Sequence, residues 1–523
     1  VGEAPGTASE GQARRGAASS LSEFVRLGAF LVLNVAAFLL IIRYLPKDDM
    51  GWYALVNVVV NLAYVVADLQ MDKVAVRRVS QGEDPDLVVG SAFGVKLVGS
   101  VVATLATQVV FLLIGLARGE VLLEVQLAAL LASSQFFGET FFVVGSVFQA
   151  QLRAYLDVVP RLLYVVLRFA FTLVLLSLGV AWWALFLAWV MAYAVGGLVA
   201  LVLARRRGGV HLRPRLRGTR ELVREALTLG VAGLLGLASV QFGTLYLGVT
   251  ESPDTVAVFN AAILPVQYLS MFGGVIAIVA FPLASAAWAG RDLARFARID
   301  GVARTAILTL FLPVAVLLFQ VPLERLMEQV FGEGYGGAAR PLQLMSIALI
   351  LASLMVWAGF VFLSVGRPRL ILMVNGACLT VGVAASPLVV PEYGLPGLAA
   401  VGIAATAIGA LAAAVLQRQF APHSFDTRGT VRALLAGAVL WGALEGVNTL
   451  TDNFFVLALV TGVLYPALVL VLGVFPRSIL DDLRKDRGGD GPGEDGTARD
   501  AVLTDAAEAA GIVADAFEHG TAP

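Results

Sequence analysis

The chain has 523 residues, of which 59% are hydrophobic and only 14% charged, with a formal net charge of −1. A soluble domain carries about 25% charged residues, so this composition excludes one, and the near-zero net charge excludes a nucleic-acid partner held by bulk electrostatics. The single cysteine, Cys378, cannot form an internal disulfide, and His211, His423 and His519 are too scattered for a metal site.

In chain order, residues 1–16 are small and polar and read as a cytoplasmic N-terminal tail. The first apolar run, 22–45, is too long for a cleaved signal and reads as a retained helix. A spanning helix needs about 20 mostly apolar residues. On that rule fourteen spans follow, near 22–45, 51–70, 88–117, 122–149, 156–179, 181–204, 222–249, 255–282, 302–321, 341–364, 370–390, 394–416, 431–449 and 453–475. The runs are long and continuous, so they are helices. A membrane barrel would show alternating segments of about ten residues. The expectation is an all-α polytopic membrane protein.

Loop charge tests the count, because cytoplasmic loops hold the excess of lysine and arginine. With the N-terminus inside and the spans alternating, the inside segments carry 25 Lys and Arg residues and the outside segments 5. A missed span would scramble that asymmetry, so both termini are expected in the cytoplasm of a cell (plasma or inner) membrane. The longest basic stretch between spans, RRRGGVHLRPRLRGTRE at 205–221, divides the chain. It reads as a linker obeying the charge rule, or one touching anionic headgroups. Residues 17–204 form a first lobe of six helices and 222–416 a second. Two further helices lie in 431–475. The stretch 477–523 is acidic, rich in Gly and Ala, and expected to be a disordered cytoplasmic tail with a short helix at 501–517.

The two lobes echo each other. RYLPKDDMGWYALVNVVV follows the first span and YLGVTESPDTVAVFNAAILP ends the seventh and opens the eighth, aligning Gly51 and Tyr53 with Ala257 and Phe259. Both second spans run outside to inside, so the repeat is parallel, with pseudo-symmetric six-helix lobes. Parallel repeats are a transporter architecture, with the site between the lobes near the midplane.

Three stretches resemble one family. The first, RYLPKDDMGWYALVNVVVNLAYVVADLQMDKVAVRRVSQGED, is similar to the opening of polysaccharide-type flippases, in the multidrug, oligosaccharidyl-lipid and polysaccharide exporter superfamily. Arg43, Leu45, Gly51, Tyr53, Asp68, Arg77 and Arg78 carry the likeness. Phe331, Gly332, Tyr335, Gly366 and Arg367 resemble a second signature of that family, and Pro391, Gly394 and Gly397 its turn after the eleventh helix. The likeness covers roughly residues 17–475. Many relatives place an aspartate in the seventh helix where this chain has Thr244, so the resemblance carries no carboxylate chemistry into the second lobe. The resemblance implies a flippase for polyisoprenyl-linked oligosaccharides, moving a sugar-phosphate headgroup to the outer leaflet by alternating access. It implies a glycan-lipid substrate within the bilayer and glycan-synthesis enzymes as partners to expect; energy is expected from an ion gradient (H+ or Na+), the membrane potential or removal of substrate outside.

A sugar-phosphate head cannot cross about 30 Å of hydrocarbon unaided, so charged and amide side chains inside spans are the candidates. Glu139, fourteen residues before Arg153, lies near or beyond mid-bilayer. Arg168, fifteen residues after Arg153, returns to the same depth. The two can meet across antiparallel helices, as a structural ion pair or as a carboxylate that titrates during transport. Arg161 and Lys96 lie nearer the inner surface and read as snorkelling cations or headgroup contacts. Asp68 and Asp72 with Lys73 read as a helix-end salt bridge. Asn34, Gln108, Gln135, Gln241, Asn260, Gln267 and Asn375 line a sugar path or bond neighbouring helices. Arg26, at the cytoplasmic end of the first span, either positions that helix or meets an anionic headgroup, and Arg43 anchors the outer end. Pro265, Pro282 and Pro313 kink the eighth and ninth spans, and FGEGYGG at 331–337 reads as a turn.

No catalytic motif, cofactor site or Walker motif appears, so neither enzyme chemistry nor a self-contained ATPase is expected. A drug exporter of the same superfamily is the alternative. A glycan polymerase or ligase would want a large outer loop, and the stretch 322–340 is short.

Overall fold

The computed structural model describes Arg26 and residues 28–151, 153, 155–210, 212–216, 219–420 and 427–474. The tails at 1–16 and 477–523, with the short helix expected at 501–517, lie outside the described residues.

Every regular element among the described residues is helical. Helix α1 spans Gly28–Tyr44. It is followed by α2 (Lys47–Asp68), α3 (Met71–Ser80), α4 (Pro85–Arg118), α5 (Leu123–Ala132), α6 (Ser134–Phe142), α7 (Gly145–Ala150), α8 (Tyr155–Ser177) and α9 (Leu187–Leu203). Then come α10 (Arg220–Thr250), α11 (Pro253–Ala289), α12 (Leu293–Gln320), α13 (Leu323–Phe331), α14 (Ala339–Ser364), α15 (Arg369–Gln417), α16 (Thr427–Asn448) and α17 (Phe454–Val471).

Twelve helical runs among the described residues are long and apolar enough to cross a membrane, and α1 adds a shorter apolar helix. The run α15 is 49 residues long and breaks at Gly394, with φ 58° and ψ −142°. At 1.5 Å per residue it would otherwise exceed twice a hydrocarbon core of about 30 Å. Gly394 therefore splits it into two crossings, at the glycine of the turn carried by Pro391 and Gly397, and the apolar runs among the described residues, α1 included, number fourteen. The chain is a multi-pass membrane protein.

The short stretch 322–340 contains a helix of its own. Leu323, Met327 and Phe331, four residues apart, are buried along one face of α13, while Glu324 and Glu328 are exposed on the other. That amphipathic spacing makes a helix of a stretch too short and too polar to register as a span. FGEGYGG keeps its turn, with Gly332 at φ 111° and Gly334 at φ 80°.

The described residues form two compact units that part between Asn260 and Ala261. In the first unit α10 packs on α2, α3 and α4. Glycines set its distance from α2. A Cβ on Gly248 would lie 2.5 Å from Leu55, and one on Gly230 would lie 2.8 Å from Leu69; one on Gly51 would fall on the carbonyl of Pro253, where α11 begins. Arg118, ending α4, donates to the carbonyls of Gly248 (3.1 Å) and Glu251 (2.9 Å) at the C-terminal end of α10, where helical carbonyls lack partners. The basic linker lies along α4. The Arg215 N–H donates to Gly90 O at 3.0 Å, and Gly94 also faces the Arg215 backbone.

Between α2 and α3 the chain leaves the helix at two consecutive non-glycine residues. Leu69 (φ 48°) and Gln70 (φ 56°) are both left-handed. Each such residue costs roughly 1–2 kcal/mol, so the surrounding contacts must hold the break in place.

Candidate functional site

In the first unit, α2, α3, α4, α6 and α8 converge on a buried cluster of charges. Lys96, on α4 and 1% exposed, places Nζ 2.6 Å from Asp68 Oδ1 and 2.9 Å from Asp72 Oδ1. Arg161, on α8, reaches Asp157 at 3.4 Å, Glu139 at 3.5 Å and Asp72 at 3.6 Å. Its guanidinium lies 5.2 Å from the Phe142 ring centroid. Neither cation snorkels. Both meet carboxylates from other helices, and an ammonium or guanidinium so held has no gain in reaching for water.

Local sequence makes room for these contacts. Gly138 precedes Glu139, and a Cβ there would fall on the Tyr193 ring. Its absence lets α9 approach closely enough for the Tyr193 hydroxyl to donate to Glu139 Oε1 at 3.0 Å. Gly145 does the same for the Asp157 carboxylate, which also accepts from Gln149 Nε2 at 2.9 Å.

The expected meeting of Glu139 with Arg168 does not form. Glu139 pairs with Arg161 instead, because Arg168 sits two turns farther along α8. There Nη2 of Arg168 donates to Asn34 Oδ1 of α1 at 2.7 Å, Nη1 donates to the Tyr164 hydroxyl at 3.2 Å, and the guanidinium stacks 4.7 Å from the Trp189 centroid. The Tyr164 ring in turn stacks on Tyr193 with centroids 4.0 Å apart. Arg168 is half-buried, and no carboxylate among the described residues pairs with it. A guanidinium carries five N–H donors, and its partners here are all neutral. The two arginines thus share a helix and differ in kind. Arg161 is neutralised by acids, while Arg168 presents a positive charge.

The other candidates scatter. Arg26 is buried at 3% exposure. Gln135 is buried one turn before Glu139 on α6, and its Oε1 lacks a hydrogen-bond partner. Gln241 on α10 and Asn260 on α11 are buried in the first unit. Gln267, half-buried, and Asn375, buried, belong to the second. Gln108 contacts the Gln126 carbonyl at 3.4 Å, a helix-to-helix bond.

The second unit has its own buried cluster. Arg304, on α12, donates to both oxygens of Asp300 at 3.1 and 2.8 Å and to Gln417 Oε1 of α15. Trp357 Nε1, on α14, donates to Asp300 Oδ1 at 2.6 Å. The register repeats that of the first unit. Asp84 and Asp292 cap the N-termini of α4 and α12, and the buried Lys96 and the half-buried Arg304 each stand twelve residues later. Asp157, Tyr164, Tyr193, Asp300, Arg304, Trp357 and Gln417 were not singled out from sequence. The signal available was the Asp-to-Arg spacing of four in LDVVPR and IDGVAR, which puts both charges on one helix face.

Fold and site define a class, a polytopic helical membrane protein with buried charges inside its spans. The sequence profile of the polysaccharide biosynthesis protein family matches residues 25–288, just over half of the chain, and the chain belongs to that family. The fold is similar to those of solved flippase and drug-transporter structures. A lipid II flippase, MurJ, in an inward closed conformation superposes with a TM-score of 0.68 at 12% identity, covering 88% of this chain and 99% of the other. An inward-facing MATE-family multidrug resistance transporter gives 0.56 at 18% identity, with 81% and 99% covered. The MATE transporter DinF-BH in complex with R6G gives 0.57 at 16%, with 78% and 95% covered. Curated proteins gave no match.

Proposed function

We propose that the protein is a flippase that carries a polyisoprenyl-phosphate-linked oligosaccharide from the cytoplasmic to the outer leaflet by alternating access, for cell-surface polysaccharide or glycoconjugate synthesis. Family membership supports the substrate class. The observation that carries the reading is Arg168. It lies thirteen residues into α8, about 20 Å from the basic-loop end at 1.5 Å per residue. A charge at that depth is costly, and in membrane spans such charges mark substrate pathways. Its neutral partners fix its orientation without cancelling its charge. An incoming phosphate oxygen supplies the missing counter-charge through charge-assisted hydrogen bonds, while the sugar bonds amides and the isoprenoid tail stays in lipid.

Loop charge supports cytoplasmic termini, and the repeat in sequence supports two six-helix lobes followed by two extra helices. Coupling to H+ or Na+ and partnership with glycan-synthesis enzymes belong to the same proposal. The test is translocation in proteoliposomes of a fluorescent polyisoprenyl-diphosphate oligosaccharide, scored by protection from an impermeant quencher. Loss of one charge-assisted bond worth roughly 1.5–3 kcal/mol predicts that Arg168→Gln slows transport by about 10- to 150-fold. Wild-type rates in that variant, or transport of a cationic dye without the glycan lipid, refute the reading.

A further inference from the structure

Two consecutive bulky residues in the left-handed region, inside the helical run 47–80, need something to hold them there. Asp68 ends α2 and Asp72 lies in the first turn of α3, on either side of the break. The two oxygens of Asp68 have different partners. Oδ2 accepts from the Gln70 N–H at 3.0 Å, and Oδ1 lies 2.6 Å from Lys96 Nζ. The first contact exists only in the broken form. A continuous helix would send the Gln70 N–H to the carbonyl four residues back and leave Oδ2 with nothing to accept. Lys96 holds Asp68 in the orientation that the contact needs, and at 1% exposure it has little room to go elsewhere. Lys73 Nζ adds a bond to Gln70 Oε1 at 2.5 Å.

We infer that Lys96 is a positioning residue: it orients Asp68 as a pin that replaces the lost backbone hydrogen bond and keeps the second span broken at Leu69 and Gln70. The break sets the direction in which α3, with Arg77 and Arg78, leaves the span. Asp72 does not carry this role. Four residues beyond Asp68, it would face Lys96 from a continuous helix as well. The link from the pin to transport rests on the flippase reading, but the pin itself is tested without substrate.

The experiment places spin labels at exposed Asp48 and Ser80 of the full-length chain in nanodiscs, with Cys378 replaced by Ala. A straight helix over those 32 residues measures about 48 Å, and the wild-type distance should fall short of it. Lys96→Met and Asp68→Ala should shift the distribution toward the straight value, Lys96→Arg should not, and Asp72→Asn should leave it in place. Gln70→Gly added to Lys96→Met should restore the short distance, because glycine adopts the left-handed region freely. If Lys96→Met does not insert, Asp68→Ala with its own Gln70→Gly rescue carries the test. Unchanged distances in both Lys96→Met and Asp68→Ala overturn the inference, as does a lengthening in Asp72→Asn equal to theirs.

Discussion

Arg161 and Arg168 lie seven residues apart on α8, and their surroundings predict opposite mutant phenotypes. In Arg161→Gln, three carboxylates within 3.6 Å lose their guanidinium. Asp157, 3% exposed, is left with Gln149 as its partner. Removing one side of a buried ion pair costs about 3–5 kcal/mol. At roughly 2–4 °C per kcal/mol, the apparent Tm in nanodiscs should fall by about 6–20 °C. In Arg168→Gln the lost bonds to Asn34 and Tyr164 are offset by removal of a desolvated cation that no carboxylate compensates, a penalty of several kcal/mol. Its Tm should stay near wild type or rise, while transport fails. Thermal unfolding followed by tryptophan fluorescence reads both. Adding Asp157→Asn to Arg161→Gln should recover part of the loss, because the abandoned charge is then gone. The reasoning is refuted if the two single variants lose equal stability, or if the double variant is no better than Arg161→Gln.

The remaining predictions concern packing and the second unit. Gly145→Ala places a methyl on the Asp157 carboxylate and should cost about 1–3 kcal/mol. The same substitution in an Asp157→Gly background should cost much less by the same unfolding assay. Trp357→Phe removes the N–H that reaches Asp300 at 2.6 Å, and leaving a buried acceptor short of a donor costs roughly 1–3 kcal/mol. A lowered Tm with unchanged membrane insertion is the expected result, and an unchanged Tm would refute the assigned bond.

The candidate site was half legible in the sequence. Arg168 and Glu139 stood out because charges are rare in apolar runs, and rarity needs no partner to be seen. Their pairing was misread, since depth along a helix says how far a side chain has travelled across the membrane and not which way it faces. Arg161 and Lys96 looked close enough to the inner surface to snorkel. Both turn inward because Asp68, Asp72, Asp157 and Glu139 meet them there. The glycines at 138 and 145 gave no signal as sequence, because their purpose lies in Tyr193 and Asp157, 55 and 12 residues away.

The sequence by itself determined that this is a helical, multi-pass chain, and it carried the likeness to its family. Those properties are local. Each crossing satisfies its own backbone hydrogen bonds, and about twenty apolar residues announce it wherever it packs. Only the tertiary structure decided which buried charges are cancelled. Arg168 meets Asn34 across 134 positions and Tyr193 meets Glu139 across 54. Such contacts depend on helix rotation and on close approach at glycines. Inside a low-dielectric bundle, that difference in neighbours makes Arg161 part of the framework and leaves Arg168 charged.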